Sequence, residues 1–161
     1  LKKLESLDLQ NATVTDAGMK ELAALTSLHY LNLGQTNVTG TGLSDLAGLK
    51  DLQHLRLAMC PVNDQGMKGL AGLKNLRALS LSDTKITDAG LKELTGLKNL
   101  RSLDLIGTKH TDAGLQDLAK IQSLQWLQVS ELRVTRQGIL KLKKSLPNCW
   151  LLVHGYAGYS L

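Results

Sequence analysis

The residues of this chain that can act as nucleophile, base or metal ligand are few and scattered. Histidines stand at 29, 54, 110 and 154, and cysteines at 60 and 149. Catalysis needs a nucleophile, a base and a charge stabiliser that converge in a pocket. A metal site needs several His, Cys or carboxylate donors at ligand spacing. No histidine here has a Ser, Cys or carboxylate partner so placed, and CxxC, HExxH and phosphate-cradling glycine loops are absent from the sequence. Asp16, Asp64, Asp88 and Asp112 recur, but each follows a Thr or Asn at the start of a short helical pattern. Side chains of these types cap orphan N–H groups there. The expectation is a protein without catalysis, metal or cofactor.

The other chemistry open to such a chain is recognition, which draws disproportionately on Tyr, Trp and Arg. Aromatic residues make up only 3% of the chain and Phe is missing, whereas leucine occurs 37 times. A core built from one side-chain shape implies one structural unit used repeatedly. Leucine occupies 4, 28, 52, 76, 100 and 124, and again 7, 31, 55, 79, 103 and 127. A third series runs Leu9, Leu33, Leu57, Leu81, Leu105 and Val129. Glycine recurs at 18, 42, 66, 90, 114 and 138, and leucine again at 22, 46, 70, 94, 118 and 142. Five registers with a period of 24 residues hold through six copies.

With the first leucine as position 1, the fourth copy reads LRALSLSDTKITDAGLKELTGLKN. Its front half, L-x-x-L-x-L, alternates as a strand does, with positions 4 and 6 on one face and 3 and 5 on the other. Position 9 is small and position 11 mostly β-branched, which suits the inside of a turn. Leu91, Leu94 and Leu97 then share one face of a short helix, with Thr87 and Asp88 at its start. The recurring glycine serves either a special backbone conformation or close approach of a neighbouring repeat. One such unit cannot bury its apolar face alone, so six must stack. Parallel strands pack ~4.8 Å apart and helices ~8–10 Å apart. The stack therefore curves, strands on the inside.

On these residues the chain resembles the leucine-rich repeat family over 4–146. Segments such as Ile86-Thr87-Asp88-Ala89-Gly90-Leu91 are similar to the repeats of ribonuclease-inhibitor-like and F-box substrate-adaptor proteins. The 24-residue length with Thr at position 9 resembles arrays common in bacterial proteins. The resemblance implies an α/β solenoid, a right-handed βα superhelix of six repeats with a concave parallel sheet and short convex helices. It also implies recognition of a protein or peptide partner, with the concave face as the platform.

Positions 3 and 5 face that side, with positions 7 and 8 at its border. Tyr30, Asn32, His54 and Arg56 should form its densest cluster of large polar and aromatic groups, with Trp126 and Gln128 a second anchor and Asp104 between. The convex helices carry mixed charge of the Lys92-Glu93 kind and read as solvated. His110 and Cys60 replace the usual residues at positions 11 and 9, and both read as tolerated buried residues. Cys60 and Cys149 lie four strand spacings apart, roughly 19 Å, too far for a disulfide. Unpaired thiols point to a reducing compartment.

Net charge is +5, yet residues 1–131 are balanced at 14 basic and 14 acidic. Arg133, Arg136, Lys141, Lys143 and Lys144 supply the whole excess. Without a global basic face, nucleic acid is not an expected partner; an anionic surface at the basic end and a purely structural spacer are the alternative roles. No small-molecule substrate is expected, and no apolar run reaches the ~20 residues of a membrane span. Residues 1–146 form the repeat array. Residues 147–161 form a C-terminal cap, with Trp150–Val153 as a seventh strand and a Gly/Tyr-rich tail. Because Leu1 already lies in the pattern, the chain reads as a fragment of a longer protein.

Overall fold

A computed structural model describes residues 3–155. Each repeat's front half forms a short strand, β1 (Ser6–Asp8), β2 (Tyr30–Asn32), β3 (His54–Arg56), β4 (Ala78–Ser80), β5 (Ser102–Leu105) and β6 (Trp126–Ser130), and the segment one period further on forms β7 (Trp150–His154). All pair in parallel and in sequence order, giving one seven-stranded sheet. The register shift between neighbours is one repeat. Leu31 lies opposite Leu55, Leu55 opposite Leu79, and the column continues through Leu103 and Leu127. These leucines are buried, as are the columns of positions 1 and 6 from the second repeat onward. Burying a leucine contributes about 1.5–3 kcal/mol, and a column repeats that gain at every strand. This is the predicted solenoid architecture.

After each of the first five strands the chain turns at position 8. Asn11, Gln35, Met59, Asp83 and Gly107 take φ values of 62°, 58°, 58°, 54° and 72°. The left-handed bend keeps the backbone in the inter-repeat ladder: Met59 N–H donates to the Ser82 carbonyl at 2.8 Å and Asp83 N–H to the Ile106 carbonyl at 2.7 Å. One residue later, Thr36, Thr84 and Thr108 each donate their hydroxyl to the carbonyl three residues back, at 2.7 Å. Cys60, in the same register, instead donates to Leu33 of the preceding repeat. Both cysteines are free and buried.

The convex side carries α1 (Met19–Leu22), α2 (Asp64–Met67), α3 (Asp88–Lys92), α4 (Asp112–Leu118) and α5 (Arg136–Ser145). Several run on into 3₁₀ turns, and in the second repeat Leu43–Gly48 is wholly 3₁₀. The helix starts differ from the sequence expectation in one respect. Threonine and Asn63 are the caps: Thr87 and Thr111 accept from the N–H two residues on, Thr135 and Asn63 from the N–H three residues on. The aspartates that follow reach across to the next repeat. Asp64 accepts from the N–H and hydroxyl of Thr87, both at 2.7 Å, and from Gly90 N–H at 3.0 Å. Asp88 binds Thr111 and Gly114 in the same way, and Asp16 binds Thr39, Gly40 and Gly42. A carboxylate has more lone pairs than its own helix start can use, and the next copy offers three donors within reach.

That ladder also explains the recurring glycine. A Cβ on Gly90 would stand 2.5 Å from Asp64 Oδ1, and one on Gly42 would stand 2.4 Å from the Asp16 carbonyl oxygen. Neither glycine has positive φ. Of the two explanations left open, close approach between repeats is the operative one.

Candidate functional site

The inward-pointing leucines leave positions 3 and 5 on the concave face. In strand order, position 3 presents Ser6, Tyr30, His54, Ala78, Ser102, Trp126 and Trp150. Position 5 presents Asp8, Asn32, Arg56, Ser80, Asp104, Gln128 and Leu152. Tyr30 and His54 are register partners whose rings lie 6.5 Å apart, tilted by 38°. Asn32 and Arg56 are partners beside them. The four residues expected to cluster are thus adjacent.

Their availability differs. His54 and Arg56 are exposed and Tyr30 half-buried. Asn32 is only 3% exposed and its amide is fully engaged. Its Nδ2 donates to Asp8 Oδ2 at 3.1 Å and Gln10 Oε1 at 3.2 Å, while Oδ1 accepts from Gly34 N–H at 3.0 Å. Asp8 and Asp104 also accept from the N–H two residues on. Position 5 thus closes an Asx turn at the end of the strand, a local task that competes with partner contact. The N–H of Gln10 and the amide of Asn32 favour the ionised Asp8 carboxyl and hold its pKa below the ordinary value. Asp104 takes a further bond from Ser80 Oγ at 3.2 Å, and Gln128 Oε1 pairs with His154 Nε2 at 2.8 Å. Arg56 has no such tie among the described residues and is the one Lys or Arg in these two columns.

Trp126 is half-buried between Ser102 and Trp150, its register partners on either side. The sequence reading missed Trp150, which is 71% exposed, and Leu152, which is 40% exposed. A signal was present: counting 24 residues past Trp126 and Gln128 lands on both, so β7 continues the concave columns. Met59, 55% exposed at the left-handed position of the third repeat, adds an apolar group at the rim near Arg56.

The shape follows from these columns. Rings stand at both ends, and Ala78, Ser80 and Ser102 leave the middle shallow. Among the described residues no group of three or more His, Cys, Asp or Glu is arranged to hold a metal ion. No helix among them is long and apolar enough to cross a membrane.

A profile for the leucine-rich repeat matches residues 1–23, 24–47, 49–71 and 72–94, more than half of the chain. No curated protein matches it. Among solved structures, a leucine-rich repeat protein of Leptospira interrogans is similar, with 29% identity and a TM-score of 0.75 over 94% of this chain. An internalin from Listeria monocytogenes shares 23% identity and a TM-score of 0.73 over 98%. The leucine-rich repeat ectodomain of the Arabidopsis thaliana membrane receptor kinase GASSHO1/SCHENGEN3, solved in complex with CASPARIAN STRIP INTEGRITY FACTOR 2, shares 19% and a TM-score of 0.63 over 94%. The chain spans only 37%, 49% and 18% of these three structures' own length.

Proposed function

Because the chain belongs to the leucine-rich repeat family, whose members commonly mediate protein–protein interaction, we propose that it is a non-catalytic scaffold recognising a protein or peptide on its concave sheet. The observation that carries this reading is the distribution of bulk along position 3. Tyr30 and His54 form one wall, Trp126 and Trp150 the other, and Ala78 and Ser102 lie between. Three strand spacings from His54 to Trp126 amount to ~14 Å. A helix is ~10–12 Å across with its side chains, so a helix or an extended segment fits between the rings. Rigid aromatic walls bury large area at low entropic cost, while Ser80, Asp104 and Arg56 offer a hydroxyl, a carboxylate and a guanidinium for orientation.

Pull-down with the full chain identifies the partner, and titration calorimetry then measures its affinity. The double variant Tyr30→Ala/Arg56→Glu is expected to weaken binding by at least ~2 kcal/mol, the scale of an interface hot spot, with the far-UV spectrum unchanged. Equal affinity would overturn the site, and a chain that retains no specific partner acts as a spacer.

A further inference from the structure

Arginine precedes both small residues of position 3 in the shallow middle of the concave face: Arg77 stands before Ala78 and Arg101 before Ser102. In the other repeats position 2 holds Glu5, His29, Gln53 and Gln125. Lys74 and Lys98 share a register as well, three residues upstream, within the identical stretches Gly72-Leu73-Lys74-Asn75-Leu76-Arg77 and Gly96-Leu97-Lys98-Asn99-Leu100-Arg101. The edge where β4 and β5 begin therefore carries four exposed cations. Bonds between the two repeats fix their spacing. Arg101 N–H donates to the Arg77 carbonyl at 2.8 Å, and Asn99 Nδ2 donates to the Lys74 carbonyl at 3.0 Å. Arginine thus lies beside arginine, and lysine beside lysine.

Like charges side by side on neighbouring strands oppose the fold. Among the described residues nothing offsets them: the ion pair that forms joins Lys120 to Asp117, and none of the four cations pairs with a carboxylate. Asp51 stands at one end of the row, in the register that Asn75 and Asn99 occupy in the next two repeats. Lys98 gives one proton to the Thr95 carbonyl at 2.9 Å, which leaves two on its ammonium. The convex helices differ, since they set opposite charges together, as at Lys92-Glu93. Two like-charged rungs without internal counter-ions are a surface prepared for an external anion.

We propose that this rim seats the acidic flank of the protein segment bound in the concave trough, and so fixes that segment's direction: along the strands, with its carboxylates at the strand starts. The assignment rests on the concave-face reading. Ala78 and Ser102 lead directly onto Arg77 and Arg101, so a segment lying over the shallow middle runs out across the guanidinium groups. Each guanidinium fork matches a carboxylate with two bonds, and charge complementarity of this kind sets register more than raw affinity. A nucleic-acid strand calls for aromatic rings beside the cations on which its bases stack. Positions 23, 24 and 2 of these two repeats hold only Lys, Asn and Arg.

The probe is a phage-displayed library of random twelve-residue peptides selected on the full chain, with fluorescein-labelled copies of the enriched sequences titrated by anisotropy. Enriched peptides are expected to carry two or more Asp or Glu at one end. They should bind Arg77→Glu/Arg101→Glu roughly ten-fold more weakly, and Lys74→Gln/Lys98→Gln roughly three-fold more weakly. Lys141→Gln/Lys143→Gln/Lys144→Gln should leave affinity unchanged, which separates the rim from the chain's general positive charge. Arg77→Gln/Arg101→Gln should keep or raise the thermal midpoint, because a like-charged rung is relieved; a fall would make these arginines structural and overturn the proposal. Peptides that need Tyr30 and Trp126 but lack an acidic end, or that bind Arg77→Glu/Arg101→Glu at full strength, would overturn the rim alone. Full affinity for Tyr30→Ala/Trp126→Ala, or a selection that enriches nothing, would overturn the concave reading and the rim with it. Tighter binding of labelled dodecauridylate through the same arginines would also overturn the proposal, since it assigns the rim to nucleic acid.

Discussion

His110 stands where other repeats place Val or Ile, and it is 1% exposed. The Thr108 hydroxyl donates to the Leu105 carbonyl, so it accepts from His110 Nδ1 at 2.7 Å. That fixes the tautomer with its proton on Nδ1 and leaves Nε2 as a bare, buried acceptor without a partner among the described residues. Burial holds the imidazole pKa below its ordinary 6.5, against a smaller upward pull from Asp88. In the interval from 6.5 down to the depressed value the unfolded chain binds a proton that the folded chain does not. Stability therefore falls as pH drops through that interval. Replacing His110 by valine should raise stability by about 1–2 kcal/mol and flatten the pH dependence; urea midpoints between pH 5 and 8 measure both, and an unchanged slope would refute the assignment. Two glycines give a matched contrast. A Cβ on Gly66 would lie 2.5 Å from the Thr39 carbonyl oxygen, whereas one on Gly48 meets nothing within 4 Å. Gly66→Ala should cost about 2 kcal/mol or more, and Gly48→Ala should gain up to ~0.5 kcal/mol by restricting the unfolded chain.

At the scale of elements, the turn after each strand and the carboxylate ladder hold the repeats in place. Met59 occupies a left-handed conformation that costs a residue with Cβ about 1–2 kcal/mol. Met59→Gly should stabilise the array by about 0.5–1 kcal/mol, glycine's greater unfolded-state freedom offsetting part of the relief; a thermal midpoint that falls would show that the methionine packs at the rim. Asp88→Ala removes three acceptor bonds and leaves Thr111 N–H and Gly114 N–H unpaired. The expected loss is about 2–3 kcal/mol, readable in urea unfolding. Burial pushes the Asp16 carboxyl up, but bonds from Gly42, Thr39 and Gly40 outweigh it and its pKa lies below the ordinary value. The carboxylate form is thus the one the ladder uses. The lysines of α5 have a local role as well: Lys143 and Lys144 sit in its last turn, where cations complement the helix dipole.

At the scale of the whole molecule the ladder has one gap. Gly40 stands where the other repeats of the ladder carry aspartate, and it meets Gly66 in backbone contact at φ 97°. Asn63 N–H reaches the Thr39 carbonyl at only 3.4 Å. Stability in a repeat array is a sum of modules and nearest-neighbour interfaces, so opening should begin at this junction. Native-state hydrogen exchange should find β1 and β2 amides less protected than those of β4 and β5; equal protection would count against it. The 24-residue period by itself determined the solenoid, the parallel register, the buried leucine columns and which side chains face the concave side. It could do so because a stack of identical units has only local geometry to specify. Tertiary structure decided what each residue's neighbour copy does to it. Asn32 is consumed by Asp8, Gln10 and Gly34, the aspartates serve the next repeat, and Trp150 and Leu152 extend the concave face past the last full copy. Most of those outcomes depend on contacts between residues some 24 apart whose side chains differ from copy to copy, and a repeat pattern describes only what the copies share.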